Sequence, residues 1–235
     1  MKVAVINFSG NVGKTTVAIS LLQPRLPDAS IYSIESLNSD AAADGVVVEK
    51  MRGRKYGDLQ DRLMTSSSAI VDVGASNVED FLKLMQQYAG SHEEFDYFIV
   101  PAVKEKKQMA DTVNTIRALS RIGVPHRKIR TLFNKVDVDD VVEIEFAPLF
   151  GLAALEKSFT LNPGALIHAN EVFDRLKEVG KSLGEVAADP VDYRARLREV
   201  GTDEEREQCV RMVAIKRLAV TATRNLDDAF KAVFK

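Results

Sequence analysis

Close to the N-terminus the chain reads Ser9-Gly10-Asn11-Val12-Gly13-Lys14-Thr15-Thr16, directly after the apolar run Val3–Ile6. Two glycines, a lysine and two threonines at that spacing suit the binding of phosphate. Glycines let successive backbone N–H groups turn inward and form a concave nest for anionic oxygens. A helix starting near Lys14 brings the positive end of its dipole to the same place. The Lys14 ammonium can then reach the outer phosphates, and the Thr15 hydroxyl is a hard oxygen ligand suited to Mg²⁺. The pattern G-x-x-x-x-G-K-[ST] asks for glycine at position 8, where this chain has Phe8. A plain glycine-containing turn with an exposed lysine is the alternative. The coincidence of strand, loop and helix favours the phosphate loop.

Two further strand ends carry chemistry. Ile70-Val71-Asp72-Val73-Gly74 puts a carboxylate where it can hold Mg²⁺ through the metal's water shell, or cap the helix that follows. Phe133-Asn134-Lys135-Val136-Asp137 has the letters N-K-x-D. The Asn134 amide offers a donor and an acceptor side by side, enough to read a purine edge. In many GTPases the aspartate of this pattern recognises guanine, and an asparagine here also serves simple turns.

These residues need elements to position them. Val3–Ile6, Ile31–Ile34, Ala69–Val73, Tyr97–Val100 and Ile129–Phe133 are short, continuous apolar runs of the kind that form buried parallel strands. Thr15–Leu22, Val78–Tyr88 and Met109–Ile122 have helical periodicity, the first ended by Pro24. Val46–Val48 reads either as a strand or as a helix fragment. Such alternation predicts a three-layer α/β/α fold around a mainly parallel sheet. Beyond Leu149 the character changes: Ala169–Val186 reads as a helix broken by Pro190, and Thr202–Phe234 as one or two helices. The expected organisation is a nucleotide-binding α/β core over residues 1–150. Residues 151–235 then complete the core and add a helical C-terminal extension.

Composition narrows the function classes. A chain of 235 residues with 46% hydrophobic content can bury a large core. Its formal charge of −2 argues against a uniformly basic nucleic-acid binder, though not against a local basic face. The single cysteine, Cys209, forms no internal disulfide, and His92, His126 and His168 lack metal-ligand spacing. No apolar run reaches the ~18 residues that span a bilayer. A cytoplasmic protein without an integral membrane segment is expected.

The loop resembles the deviant Walker A motif K-G-G-x-G-K-T-T of the ParA/MinD family, P-loop ATPases that position plasmids, chromosomes and division regulators. The opening Met1 to Thr16 also resembles StbB-type plasmid-stability proteins of conjugative plasmids. The resemblance implies ATP (or ADP) with Mg²⁺ as cofactor, GTP being less favoured. It implies phosphate contacts from Gly10, Asn11, Val12, Gly13, Lys14, Thr15 and Thr16, Mg²⁺ held by Thr15 and Asp72, and a base contact from Asn134. Catalytic roles would fall to Lys14, Asp72 and Glu35, the last standing where the family carries the first acid of D-x-D-P. Leu37 cannot fill the second acidic position, and Asp40 serves only if its loop bends back. Ser9 occupies the place of the family's signature lysine and Asn11 that of the second glycine, so the implied activity is at most a weak ATPase. Val100-Pro101 resembles a strand-end segment of the family, followed by the basic stretch Lys104-Glu105-Lys106-Lys107. A homodimer in the nucleotide-bound state, a plasmid-encoded DNA-binding partner and direct nonspecific DNA binding are implied partners. Plasmid stability, partition or positioning, with a possible link to conjugation, is the implied role. The alternative is a non-hydrolysing nucleotide-bound adaptor for a DNA-bound or membrane partner.

Overall fold

The computed structural model describes residues 1–34, 49–51 and 56–235. Glu35, Leu37, Asp40 and the run Val46–Val48 lie outside the described residues. Among those described, seven strands form one sheet: β1 (Lys2–Val5), β2 (Ser30–Ile34), β3 (Glu49–Met51), β4 (Ala69–Val73), β5 (Tyr97–Ala102), β6 (Ile129–Val136) and β7 (Leu166–His168). Their order is β3-β2-β4-β1-β5-β6-β7 and each pairing is parallel. Parallel neighbours need crossovers, and the helices that provide them cover both faces.

Alternation along the strands divides the core in two. Val3 and Val5 of β1, with Ile70, Ile99 and Leu132, point to one face. Ala4 and Ile6, with Val71, Phe98 and Phe133, point to the other. On that second face lie α2 (Tyr56–Thr65), α3 (Val78–Gln87), α4 (Lys106–Arg121), α5 (Val142–Glu145) and α6 (Ala147–Glu156), contributing Leu63, Phe81, Ile116 and Leu149 to the core. The first face receives the helix that follows the glycine loop, together with α7 (Val172–Val179), α8 (Leu183–Ala188) and the 31-residue α10 (Asp203–Val233).

The C-terminal helix is a layer of this fold. After the buried Cys209, its buried residues Met212, Ile215, Ala219, Ala222, Leu226, Ala229 and Val233 repeat at alternating steps of three and four, one apolar stripe along the helix. The three alanines let the helix lie close to the sheet, and burial of each large member contributes ~1.5–3 kcal/mol before chain entropy is counted. Thr202 and Glu205 form a reciprocal cap at its start. Lys216 is half-buried and donates to Asp189 O at 2.6 Å and Val191 O at 2.8 Å. These bonds tie α10 to the segment that leads into the short helix α9 (Tyr193–Arg196).

Ala169–Val186 is two helices where the periodicity suggested one. Gly180 closes α7 with a left-handed φ of +60°, and Ser182 with Glu185 opens α8 through a second reciprocal cap. No helix among the described residues is long and apolar enough to cross a membrane.

Candidate nucleotide site

The glycine loop leaves the carboxyl end of β1, at the centre of the sheet, and enters the first turn of α1 (Lys14–Thr16). This helix continues as a wider π-type segment over Val17–Leu22 and a tight turn over Gln23–Arg25. Asn11 and Gly13 take left-handed φ values of +58° and +84°, which turn the chain sharply enough to make a concave loop. Gly13 is required twice over, because a Cβ there would collide with the side-chain amide of Asn134.

Buried polar residues brace the loop from below. Asn7 is fully buried; its Nδ2 donates to Pro101 O and Thr112 Oγ1, both at 2.8 Å, and its Oδ1 accepts from Ser9 N. Phe8 N donates to Thr115 Oγ1 at 3.1 Å, and Ser9 Oγ to Asp111 Oδ2 at 2.7 Å. Sequence reasoning missed Asn7, Asp111, Thr112 and Thr115 as supports of the site. A polar residue ending an apolar strand was the available signal for Asn7. The three α4 residues gave none, since polar residues on an amphipathic helix read as its solvent face.

Lys14 is only 8% exposed and donates to Ser9 O at 2.6 Å and Asn7 O at 3.1 Å. Burial pulls its pKa down to about 8, partly opposed by the negative charge of Asp72. The Thr15 hydroxyl donates to Asp72 Oδ2 at 2.7 Å. Asp72 reaches this position because β4 pairs directly with β1, with Val5 opposite Asp72.

On the other side of the loop stands β6. Asn134, 4% exposed, donates from Nδ2 to Val12 O at 2.9 Å. The next residue, Lys135, has a left-handed φ of +56° at a bulge in the β6–β7 pairing, and its ammonium bonds Asn11 O at 3.1 Å and Asn11 Oδ1 at 3.2 Å. Both residues therefore clamp the loop backbone, a role for Lys135 that the motif reading did not assign. Lys104 of the basic stretch is held by Asp137 and Asp140, while Lys106 and Lys107 are exposed in the first turn of α4.

A cavity of about 550 Å³ adjoins the loop, within the range of small-molecule sites. Asn11, Gly13 and Thr16 form one wall, Asn134 and Lys135 a second, and His168 to Glu171 with Phe173 a third. It opens at the carboxyl ends of parallel strands, where open α/β sheets bind ligands. Phe173 and Asn170, which sequence reasoning did not single out, supply an aromatic face and an amide there. For a divalent cation the fit is that of a hydrated ion: Thr15 and Asp72 supply one hydroxyl and one carboxylate. The described residues contain no group of three or more His, Cys, Asp or Glu that could hold a metal. Mg²⁺ keeps waters and phosphate oxygens as ligands, so such a cage is not needed.

The sheet order, the loop after β1 and the helices on both faces define the three-layer P-loop NTPase fold. Solved structures that resemble it include MinD proteins. The cell-division ATPase MinD of Pyrococcus furiosus aligns with a TM-score of 0.53 at 13% identity, over 92% of this chain and 98% of that one. MinD in the MinC:MinD complex of Aquifex aeolicus aligns with a TM-score of 0.52 at 12% identity, over 96% and 95%. The MinD protein complexed with Mg-ADP from Pyrococcus horikoshii gives 0.50 at 12% identity, over 90% and 93%. At these identities the likeness is one of fold. No protein-family model matches the sequence, and no curated protein does.

Proposed function

We propose that this chain binds MgATP in the loop Gly10–Thr16 and acts as a nucleotide switch in partition or positioning, of the kind typified by plasmid-stability proteins. One observation carries the reading: Lys14, the Thr15–Asp72 pair and Asn134 converge on a single glycine loop beside a nucleoside-sized cavity. Backbone N–H groups of Gly10 to Thr15 and the Lys14 ammonium hold the phosphates. Thr15 and Asp72 hold the hydrated Mg²⁺, which shields charge between the outer phosphates when bound. The base enters the cavity beside Asn134. Glu35 is proposed to contribute near the terminal phosphate, and the loop after Asp72 to respond to it, biasing a partner surface. A nucleotide-dependent homodimer and a plasmid-encoded DNA-binding partner belong to the same proposal, with a link to conjugation as its StbB-like form. Exposed Arg211, Arg217, Arg224 and Lys231 on α10 are the surface available for nonspecific DNA contact.

A second reading is favoured by Ser9. Its hydroxyl is committed to Asp111, and a serine cannot supply the charge that the family's lysine brings to a neighbouring nucleotide. A switch that binds nucleotide and turns it over slowly, or an adaptor that does not hydrolyse, follows from that substitution.

The deciding experiment is Mg²⁺-dependent ATP binding and phosphate release by the native chain, Lys14→Ala and Asp72→Ala. Binding that Lys14→Ala abolishes, with phosphate release, supports the ATPase switch. Binding without release supports the adaptor. If the native chain binds no nucleotide, the proposal is wrong.

A further inference from the structure

The N-K-x-D segment is only half used in the way its letters suggest. Asn134 and Lys135 bond the glycine loop and line the cavity. Asp137 stands outside the cavity lining. Its Oδ2 lies 2.5 Å from Lys104 Nζ, and its backbone N–H donates to Asp140 Oδ2 at 2.9 Å. Lys104 also reaches Asp140 Oδ2 at 3.0 Å, so one ammonium sits between two carboxylates on the loop that follows β6. Both acids hold the Lys104 ammonium protonated well above the ordinary lysine range. Asp140 thus holds the backbone at 137, and Lys104 holds the Asp137 side chain.

The consequence lies in the chemistry of the purine edge. Guanine presents an N1–H and a 2-amino group side by side, two donors that one carboxylate accepts together. Adenine offers an unprotonated N1 there, a lone pair that repels a carboxylate. An aspartate free to enter the cavity therefore selects guanine, and one withheld from it leaves adenine unopposed. We infer that Lys104 is a specificity-determining residue: by holding Asp137 outside the cavity it makes a site with guanine-type lettering select adenine nucleotides. This inference rests on the nucleotide-binding reading above.

The pair is partly exposed, with Lys104 and Asp137 side chains 34% and 58% accessible. Guanine competes against a network of moderate strength, so the effect to expect is moderate. The test is calorimetric binding of MgATP and MgGTP to the native chain, Lys104→Met, Asp137→Asn and the double variant. The native chain should prefer ATP. Lys104→Met should move the ATP-to-GTP affinity ratio toward GTP by about three- to fivefold, and adding Asp137→Asn should restore the native ratio. Asp137→Asn alone should leave both affinities within about twofold, which keeps a readout if Lys104→Met does not fold. A native preference for GTP, a ratio unmoved by Lys104→Met, or a large effect of Asp137→Asn alone overturns the inference while nucleotide binding stands. A native chain that binds neither nucleotide removes both readings.

Discussion

The Thr15 hydroxyl and Asp72 Oδ2 meet at 2.7 Å although 57 residues separate them in the chain. The contact ties the first turn of α1 to the end of β4, and it places two hard oxygens side by side next to the glycine loop. A hydrated Mg²⁺ held there would make nucleotide affinity depend on the metal. Asp72→Asn keeps the size of the side chain and removes its charge. Titration with MgATP should show affinity reduced by about 10–100-fold, while binding of ATP in excess chelator changes little. Equal losses under both conditions would count against the metal role.

Lys14 gives the site a pH dependence with a definite sign. Burial lowers its pKa to about 8, so the free protein loses this charge as pH rises through about 8. Phosphate binding favours the ammonium, so ATP affinity should fall above pH 8, by up to about tenfold per pH unit. For stability the sign is reversed. Between about 8 and the ordinary lysine value of 10.5 the unfolded chain holds the proton that the folded chain has released, so this residue's contribution favours folding as pH rises through that window. Binding isotherms from pH 6.5 to 9.5, set beside those of Lys14→Met, check the first statement. The variant should bind weakly with a flat profile.

Gly13→Ala should disable the loop without touching a charged group. The residue would have to hold a φ of +84° and its methyl would meet the Asn134 amide. The strain is about 1–3 kcal/mol, and displacement of Asn134 loses its bond to Val12 as well. Thermal unfolding should show a lower Tm, and ATP should no longer raise it. Gly10→Ala is the control, since a Cβ there meets no atom within 4 Å.

Ser9→Lys asks whether the missing charge limits turnover. Asp111, now bonded to Ser9 Oγ, would face the new ammonium. If a lysine at this position is what hydrolysis lacks, phosphate release should rise by about tenfold or more with little change in ATP affinity. Unchanged turnover would assign the slow step elsewhere.

Leu226→Ala tests the standing of the C-terminal helix. Leu226 is fully buried in the stripe that α10 lays on the sheet. Truncating it should cost about 2–5 kcal/mol in denaturant unfolding, with a single transition for the whole chain. A loss well under 1 kcal/mol, or separate transitions, would show α10 to be a loosely attached element.

Much of the architecture was legible in the residues. Strands β1, β2, β4, β5 and β6 are central or nearly so, and a strand covered on both faces is mostly apolar, so each appears as a short run rich in apolar residues. Strands β3 and β7 were not legible. Each has three residues, too few for a periodic signal, and takes its place through pairing to a neighbour. The division of α7 from α8 was written in Gly180 and the Ser182–Glu185 cap, but an apolar periodicity running through both concealed it.

By itself the sequence determined the glycine loop, since glycine, lysine and threonine there act through backbone freedom, charge and hydroxyl chemistry within eight consecutive residues. It also determined which strand ends carry an acid and an amide. What each of those groups touches was decided by the tertiary structure. The order β4-β1-β5-β6 brings Asp72 to one side of the loop and Asn134 to the other. That order depends on crossovers packing their apolar faces across the whole sheet, a long-range property that no local window of residues contains. The same holds for Lys104 and Asp137, whose side chains join across 33 positions because β5 and β6 lie side by side.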